Sequence, residues 1–190
     1  MPRRLVLLRH GQAVPEAEDP ERPLTADGRS AAAATAIGVT TYLGAPRGDA
    51  AILHSGKVRA CQTADAVRQS LSAAGWTCTF EEAAGLNPKD PPLAAAELVE
   101  KSAAPVLIIV GHLPHMGLFS ARLVGEPAAA GELGRSFVDA GGLALQQADG
   151  AESSTAWVRD KFFDPVEPWW EAPADKSATG ETDAGTEEKS

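Results

Sequence analysis

The sequence has little of what disulfide-rich secreted proteins and membrane proteins are made of. Its 190 residues include two cysteines, Cys61 and Cys78, which cannot form a disulfide framework and are by themselves a poor zinc site. The longest apolar run covers residues 106–110 and is too short to span a bilayer. The apolar stretch behind the N-terminal arginines is about four residues long, whereas a signal peptide requires about 7–15. These absences predict a cytoplasmic protein with reduced cysteines.

The chain also lacks an excess of basic residues. It has 17 Lys and Arg against 26 Asp and Glu, which gives a formal net charge of −9. This balance argues against a general nucleic-acid binder, which carries a basic face, and against attachment to an anionic membrane surface. The charge is uneven, because residues 1–63 have eight basic and six acidic residues and so carry +2.

The C-terminal end differs in composition from the rest. Residues 171–190 contain no Leu, Ile, Val, Phe, Trp or Tyr, and they hold six acidic and two basic residues. Such a stretch cannot bury enough apolar surface to offset the entropy lost on ordering. The composition therefore predicts one folded domain over residues 1–170 and a disordered acidic tail over residues 171–190.

Within that domain, short apolar runs alternate with segments of helical pattern. The predicted strands are residues 4–8, 50–53, 77–80, 106–110, 142–147 and 155–159, and the predicted helices are residues 25–42, 57–74, 92–101 and 114–124. The last two strands are expected to form a hairpin around Asp149-Gly150. Alternation of this kind predicts an α/β fold: a three-layer sandwich with a largely parallel central sheet and helices on both faces.

Basic and imidazole side chains follow three of the predicted strands. Arg9 and His10 follow the first, Arg59 lies shortly after the second, and His112 follows the strand at 106–110. Ligands of open α/β sheets bind at the carboxyl ends of the strands, so these side chains are expected to converge at one edge. A guanidinium group can donate two parallel hydrogen bonds to the oxygens of one phosphate. The sequence thus predicts an anion pocket of two arginines and two histidines.

The same segments resemble motifs of a known family. Leu-Arg-His-Gly at residues 8–11, Ser-Gly-Lys-Val-Arg-Ala-Cys-Gln-Thr-Ala at residues 55–64 and Val-Gly-His at residues 110–112 resemble the histidine phosphatase superfamily. Arg-Pro-Leu-Thr at residues 22–25, Gly-His-Leu-Pro at residues 111–114 and the short chain resemble its SixA-type phosphohistidine phosphatases. The resemblance covers about residues 4–160 and implies a phosphoglycerate mutase-like fold.

The resemblance also implies roles for individual residues. His10 is the expected nucleophile, which attacks phosphorus and forms a phosphohistidine intermediate. Arg9, Arg59 and His112 are expected to hold the phosphoryl oxygens, and the two guanidinium groups should lower the pKa of His10. The expected substrate-binding residues are Gly11, Arg22, Ser55 and Gly111.

A proton donor is harder to assign. The acidic residue that many superfamily members carry before the third helix is replaced by Gly-Leu-Asn-Pro at residues 85–88, and Leu113, not an aspartate, follows His112. Asp19 aligns with an aspartate of the SixA-type pattern and is the candidate donor, although a solvated acidic loop explains it equally well. A weak donor favours phosphohistidine as substrate, because imidazole has a conjugate-acid pKa of about 6.5 and leaves more easily than an alkoxide.

The leading prediction is therefore a monomeric protein phosphohistidine phosphatase of the phosphoric monoester hydrolase type, with a phosphorylated protein as its partner. A phosphatase of small sugar or nucleotide phosphates and a non-catalytic phosphate-recognition module are the alternatives. No cofactor is expected, and a metal is disfavoured because Arg9 and Arg59 repel a cation.

Overall fold

The computed structural model describes residues 3–147 and 157–165. The strands are β1 (Arg4–Arg9), β2 (Ala50–His54), β3 (Cys78–Glu82), β4 (Val106–Gly111), β5 (Gly142–Gln147) and β6 (Trp157–Phe163). The helices are α1 (Ala26–Leu43), α2 (Val58–Ala73), α3 (Pro92–Lys101), α4 (His115–Leu123) and α5 (Ala130–Arg135), with a 3-10 turn at Pro127–Ala129 before α5. No described helix is long and apolar enough to cross a membrane.

The six strands form one sheet in the order β3-β2-β4-β1-β5-β6. The first four are parallel, whereas β5 runs antiparallel to β1 and β6 antiparallel to β5. The predicted α/β fold is confirmed, with an antiparallel pair at one side of a mostly parallel sheet. At the centre, β1 and β4 pair so that Arg9 lies opposite Gly111. This register brings the residues that follow the two strands to the same point of the sheet edge.

Burial on both faces explains why the central strands read as continuous apolar runs. All six residues of β4 are buried, as expected for a parallel strand covered by helices on either side. Because side chains alternate between the faces, Val6 and Ile108 pack with α1 and α2. Leu7 and Ile109 pack on the opposite side with α3, α4 and α5. The result is the predicted three-layer sandwich.

The structure differs from the sequence expectations at two elements, and two further expectations lie outside the described residues. The strand predicted at 155–159 runs from Trp157 to Phe163, because Phe163 is buried in the sandwich. Helix α5 escaped prediction because it has six residues and two glycines, Gly131 and Gly134, which are poor helix formers. The turn at Asp149-Gly150 and the tail at 171–190 lie outside the described residues, so the domain boundary stays a prediction.

The central strand allows a test of how much of the stability comes from the sheet core. Ile108 in β4 is 0% exposed, whereas Ile37 in α1 is 58% exposed. Ile108→Ala is expected to lower the free energy of unfolding by about 2–5 kcal/mol, because it leaves a cavity that helices on both sides cannot fill. Ile37→Ala should change it by about 0.5 kcal/mol or less. Urea denaturation measures both, and equal losses would contradict this account of the core.

Candidate active site

The carboxyl ends of three neighbouring strands meet at one edge of the sheet. His10 follows β1, Ser55 follows β2 and His112 follows β4, and β4 pairs with both of the other strands. The rings of His10 and His112 lie with their centroids 4.8 Å apart. Arg59 reaches the same place from the first turn of α2, with its Nε 3.2 Å from Nε2 of His10. The predicted convergence of imidazole and guanidinium groups is thus what the structure shows.

Hydrogen bonds fix which nitrogen of His10 is basic. Its Nδ1 lies 2.7 Å from the carbonyl oxygen of Gly11. A carbonyl only accepts, so Nδ1 carries the proton, and Nε2, which accepts from Arg59, holds the lone pair. Burial lowers the pKa of His10 to about 4; the bond to Gly11 opposes this shift, and the charges of Arg59 and Arg9 add to it. At neutral pH the ring is therefore an uncharged imidazole with a defined basic atom.

Gly11 is held in place by a hydrogen bond to Thr63 and by close packing against Gly28. Its N–H donates to Oγ1 of Thr63 at 3.0 Å, and the Thr63 hydroxyl donates to the carbonyl oxygen of Arg59 at 2.8 Å. A Cβ at Gly11 would lie 2.6 Å from the carbonyl oxygen of Gly28 in α1, which is closer than side-chain carbons come to oxygen. The threonine thus ties the loop that carries His10 to the helix that carries Arg59. Thr63 stands inside the motif at residues 55–64, but its type alone does not show this role.

His112 is nearly completely enclosed, at 1% exposure. Its Nε2 lies 2.6 Å from Oγ of Ser55. Burial lowers the pKa of His112 to about 3, and the charges of His10 and Arg59 act in the same direction. Ser55, expected to touch substrate, is therefore first a partner of His112.

Arg9 is anchored by residues that the sequence did not single out. Its Nη2 forms an ion pair with Oδ1 of Asp139 at 2.7 Å, and its Nη1 donates to the carbonyl oxygen of Phe137 at 3.1 Å. Both partners lie just before β5, which pairs with β1. The sequence offered no signal for this contact, because nothing in it shows that β5 is the neighbour of β1.

The loop between β1 and α1 holds the remaining predicted residues. Oδ1 of Asp19 accepts from the backbone N–H of Glu21 at 2.9 Å, which makes a local turn, and no hydrogen bond or ion pair in the described chain joins Asp19 to His10. The role of Asp19 as proton donor stays a prediction. Arg22 donates from Nε to the carbonyl oxygen of Val14 at 3.3 Å. Burial lowers the pKa of Arg59, the positive charge of Arg22 lowers it further, and the negative charge of Glu16 in the same loop opposes the shift.

Gly111 and the start of α2 complete the edge. A Cβ at Gly111 would lie 2.6 Å from Cε of Met116, so α4 packs closely against this residue and a larger side chain there would displace the end of Met116. Helix α2 begins without a side-chain cap and without an acidic residue in its first turn. Its free N–H groups and its dipole favour an anion at this end.

The chain was compared with known proteins. No family model matches it, and no curated protein matches its sequence. Solved structures do match. A protein assigned as the phosphohistidine phosphatase SixA of Agrobacterium tumefaciens is 23% identical, with a TM-score of 0.64 over 87% of this chain and 99% of that chain. The protein histidine phosphatase SixA complexed with tungstate is 20% identical, with a TM-score of 0.63 over 85% of this chain and 97% of that chain.

A mutase shares the same architecture. Phosphoglycerate mutase from Plasmodium falciparum is 18% identical, with a TM-score of 0.62 over 86% of this chain and 91% of that chain. The chain has the phosphoglycerate mutase-like fold of these structures. This confirms the fold that the motifs at residues 8–11, 55–64 and 110–112 implied. Identities of this size establish a common fold and not a common substrate.

The fold buries His10 in its neutral form, which makes the stability of the protein depend on pH. In the unfolded chain His10 has an ordinary pKa near 6.5, and in the folded chain its pKa is about 4. Between these values only the unfolded chain is protonated. The stability that His10 contributes is therefore present above pH 6.5 and is lost as pH falls through 4.

Accordingly, His10→Gln should weaken the pH dependence of folding. From pH 7.5 to 4.5 the free energy of unfolding should fall by about 2 kcal/mol more in the wild-type protein than in the variant. Urea denaturation at the two pH values gives the comparison. Equal falls in the two proteins would show that His10 titrates normally when folded.

The link between the nucleophile loop and α2 can be tested at Thr63, which is 0% exposed. Thr63→Val keeps the shape of the side chain but leaves the buried N–H of Gly11 without an acceptor. We expect a loss of about 1–3 kcal/mol in the free energy of unfolding. Thr63→Ser retains the hydroxyl and should lose less, and the reverse order of the two variants would contradict the proposed link.

Proposed function

We propose that this protein is a phosphatase that hydrolyses a phosphoryl group through a covalent phosphohistidine at His10. The observation that carries the proposal is the state of that ring. Nδ1 is held protonated by the Gly11 carbonyl, Nε2 is basic, and the pKa of about 4 keeps the ring uncharged at neutral pH. A neutral imidazole whose basic nitrogen faces the guanidinium group of Arg59 is suited to attack a phosphoryl group bound by that guanidinium.

In the first step, Nε2 of His10 attacks phosphorus and the bond from phosphorus to the leaving group breaks. Negative charge spreads over the three equatorial oxygens in the transition state. Arg59, Arg9 and the free N–H groups at the start of α2 stand where they can stabilise this charge. Arg9 is fixed by Asp139 and Phe137 and needs little rearrangement to do so. Arg59 gives up its hydrogen bond to Nε2 of His10 when that atom attacks, and its Nε–H then donates to the phosphoryl group.

In the second step, water attacks the phosphorus of the phosphohistidine and inorganic phosphate is released. The electron pair of the phosphorus–nitrogen bond returns to Nε2 of His10. Nδ1 keeps its proton and its bond to Gly11 throughout, so the ring leaves as a neutral imidazole. Gly11 and Thr63 act in this scheme as positioning residues, since Gly11 holds the ring of His10 and Thr63 holds Gly11.

Phosphohistidine on a protein is the substrate class that this site supports best. Oδ1 of Asp19 accepts from Glu21 and the carboxylate of Asp139 is paired with Arg9, so these two carboxylates are held by partners other than a leaving group. An alkoxide leaving group needs an acid beside it, whereas an imidazole leaving group needs less help because its conjugate acid has a pKa of about 6.5. The structural likeness to a protein histidine phosphatase that binds tungstate, an analogue of phosphate, agrees with this assignment.

The test is a direct comparison of substrates. The wild-type protein and His10→Ala are incubated with a histidine-phosphorylated protein domain and with a panel of alkyl, sugar and nucleotide phosphates. We expect the wild-type protein to release phosphate fastest from phosphohistidine and to carry an acid-labile phosphoryl group during turnover. The variant should be reduced at least about 10³-fold. Turnover surviving in His10→Ala would overturn the covalent route, and faster cleavage of alkyl phosphates would overturn the substrate class.

A further inference from the structure

Asp139 places a carboxylate beside a pocket that is arranged to hold an anion. Its Oδ1 lies 2.7 Å from Nη2 of Arg9, and the two side chains are 42% and 28% exposed. When two opposite charges lie this close, their electrostatic effects on a third charge nearby partly cancel, even after screening by water. An anion that approaches Arg9 therefore also meets the negative charge of Asp139. That charge reaches the nucleophile as well, since it acts to raise the pKa of His10.

Charges of both signs act at the site. The cations whose charges act on His10, Arg59 or His112 are Arg9, Arg22, Lys57 and Arg59, and the carboxylates are Glu16 and Asp139. A phosphoryl group carries about −1.5 to −2 at neutral pH. Each carboxylate weakens the attraction of the cations for such a group, and it weakens the attraction for a more highly charged anion further.

A groove next to Asp139 is also lined by carboxylates. A groove of about 370 Å³ beside the nucleophile loop is lined in part by Asp27, Asp139 and Asp164, and its described lining residues include no lysine or arginine. A substrate that projects a second anionic group into this groove is repelled. One that projects a lysine or arginine there is attracted.

We propose that Asp139 is a specificity-determining residue that restricts the site to a phosphoryl group on a neutral or cationic carrier, such as a phosphohistidine flanked by basic residues, and disfavours polyanionic substrates. The inference rests on the proposed phosphatase function and deepens it by naming the substrate class. Its charge can be removed without releasing Arg9, because the carbonyl oxygen of Phe137 also holds that side chain, at 3.1 Å. Asp139→Asn keeps the shape and an acceptor oxygen toward Arg9.

Anion binding tests the inference without requiring turnover. Orthophosphate and pyrophosphate are titrated into the wild-type protein and Asp139→Asn by calorimetry. Removing one negative charge favours the more highly charged anion, so the ratio of the pyrophosphate Kd to the orthophosphate Kd should fall at least about threefold in the variant. Asp49→Asn is the matched control. It removes the same charge from an exposed residue just before β2, at the opposite edge of the sheet.

The titration distinguishes failure of the role of Asp139 from failure of the proposed function. An unchanged ratio in Asp139→Asn, or an equal change in Asp49→Asn, overturns the role of Asp139. The expected change in a protein that hydrolyses no phosphohistidine would instead overturn the proposed function and leave the charge selection standing.

Kinetics on two peptides then test the carrier. The peptides carry the same phosphohistidine, flanked in one by lysines and in the other by glutamates. The wild-type protein should prefer the lysine peptide in kcat/KM, mainly through KM, and the preference should shrink in Asp139→Asn and at high salt. A preference that is unaltered in the variant, or a change confined to kcat, would contradict the inference.

Discussion

The parallel pairing of β1 with β4 is the constraint on which the rest of the site depends. Both strands are buried between two helical layers, so their register cannot slip without moving apolar side chains such as Leu7 and Ile108 to the wrong face. Because Arg9 lies opposite Gly111 in that register, His10 and His112 emerge side by side. The hydrophobic core thus sets the spacing of the two imidazoles.

Around this pairing, hydrogen bonds to backbone groups help to hold the reactive side chains. The Gly11 carbonyl selects the tautomer of His10, the Phe137 carbonyl steadies Arg9, and Thr63 joins the nucleophile loop to α2. Burial, the largest influence on both histidines, keeps them uncharged in a pocket that already holds two guanidinium groups. An enclosed imidazolium beside arginines would be costly, and the fold avoids that cost by keeping the rings neutral.

The sequence predicts the site residues that lie next to recognisable strands, and it does not predict contacts that depend on the order of the strands in the sheet. Arg9, His10 and His112 were predictable because apolar runs mark the strands and ligands of α/β sheets bind at their carboxyl ends. Asp139 was not, since its contact with Arg9 depends on β5 lying beside β1, and no local pattern encodes that neighbour. Asp19 aligns with a family position, and its Oδ1 also accepts from Glu21 two residues along, a local turn that this alignment does not predict.

The close approach of Gly11 to Gly28 carries a consequence for the evolution of this chain. A Cβ on Gly28 would meet the carbonyl oxygen of Gln12 at 2.0 Å, just as one on Gly11 would meet the carbonyl of Gly28. Two backbones are therefore pressed together where the nucleophile loop crosses the start of α1. Gly28 reacts with nothing, yet it is as intolerant of change as the glycine next to the nucleophile. Helix α1 therefore contains a position, Gly28, that takes no part in the chemistry and yet accepts no side chain.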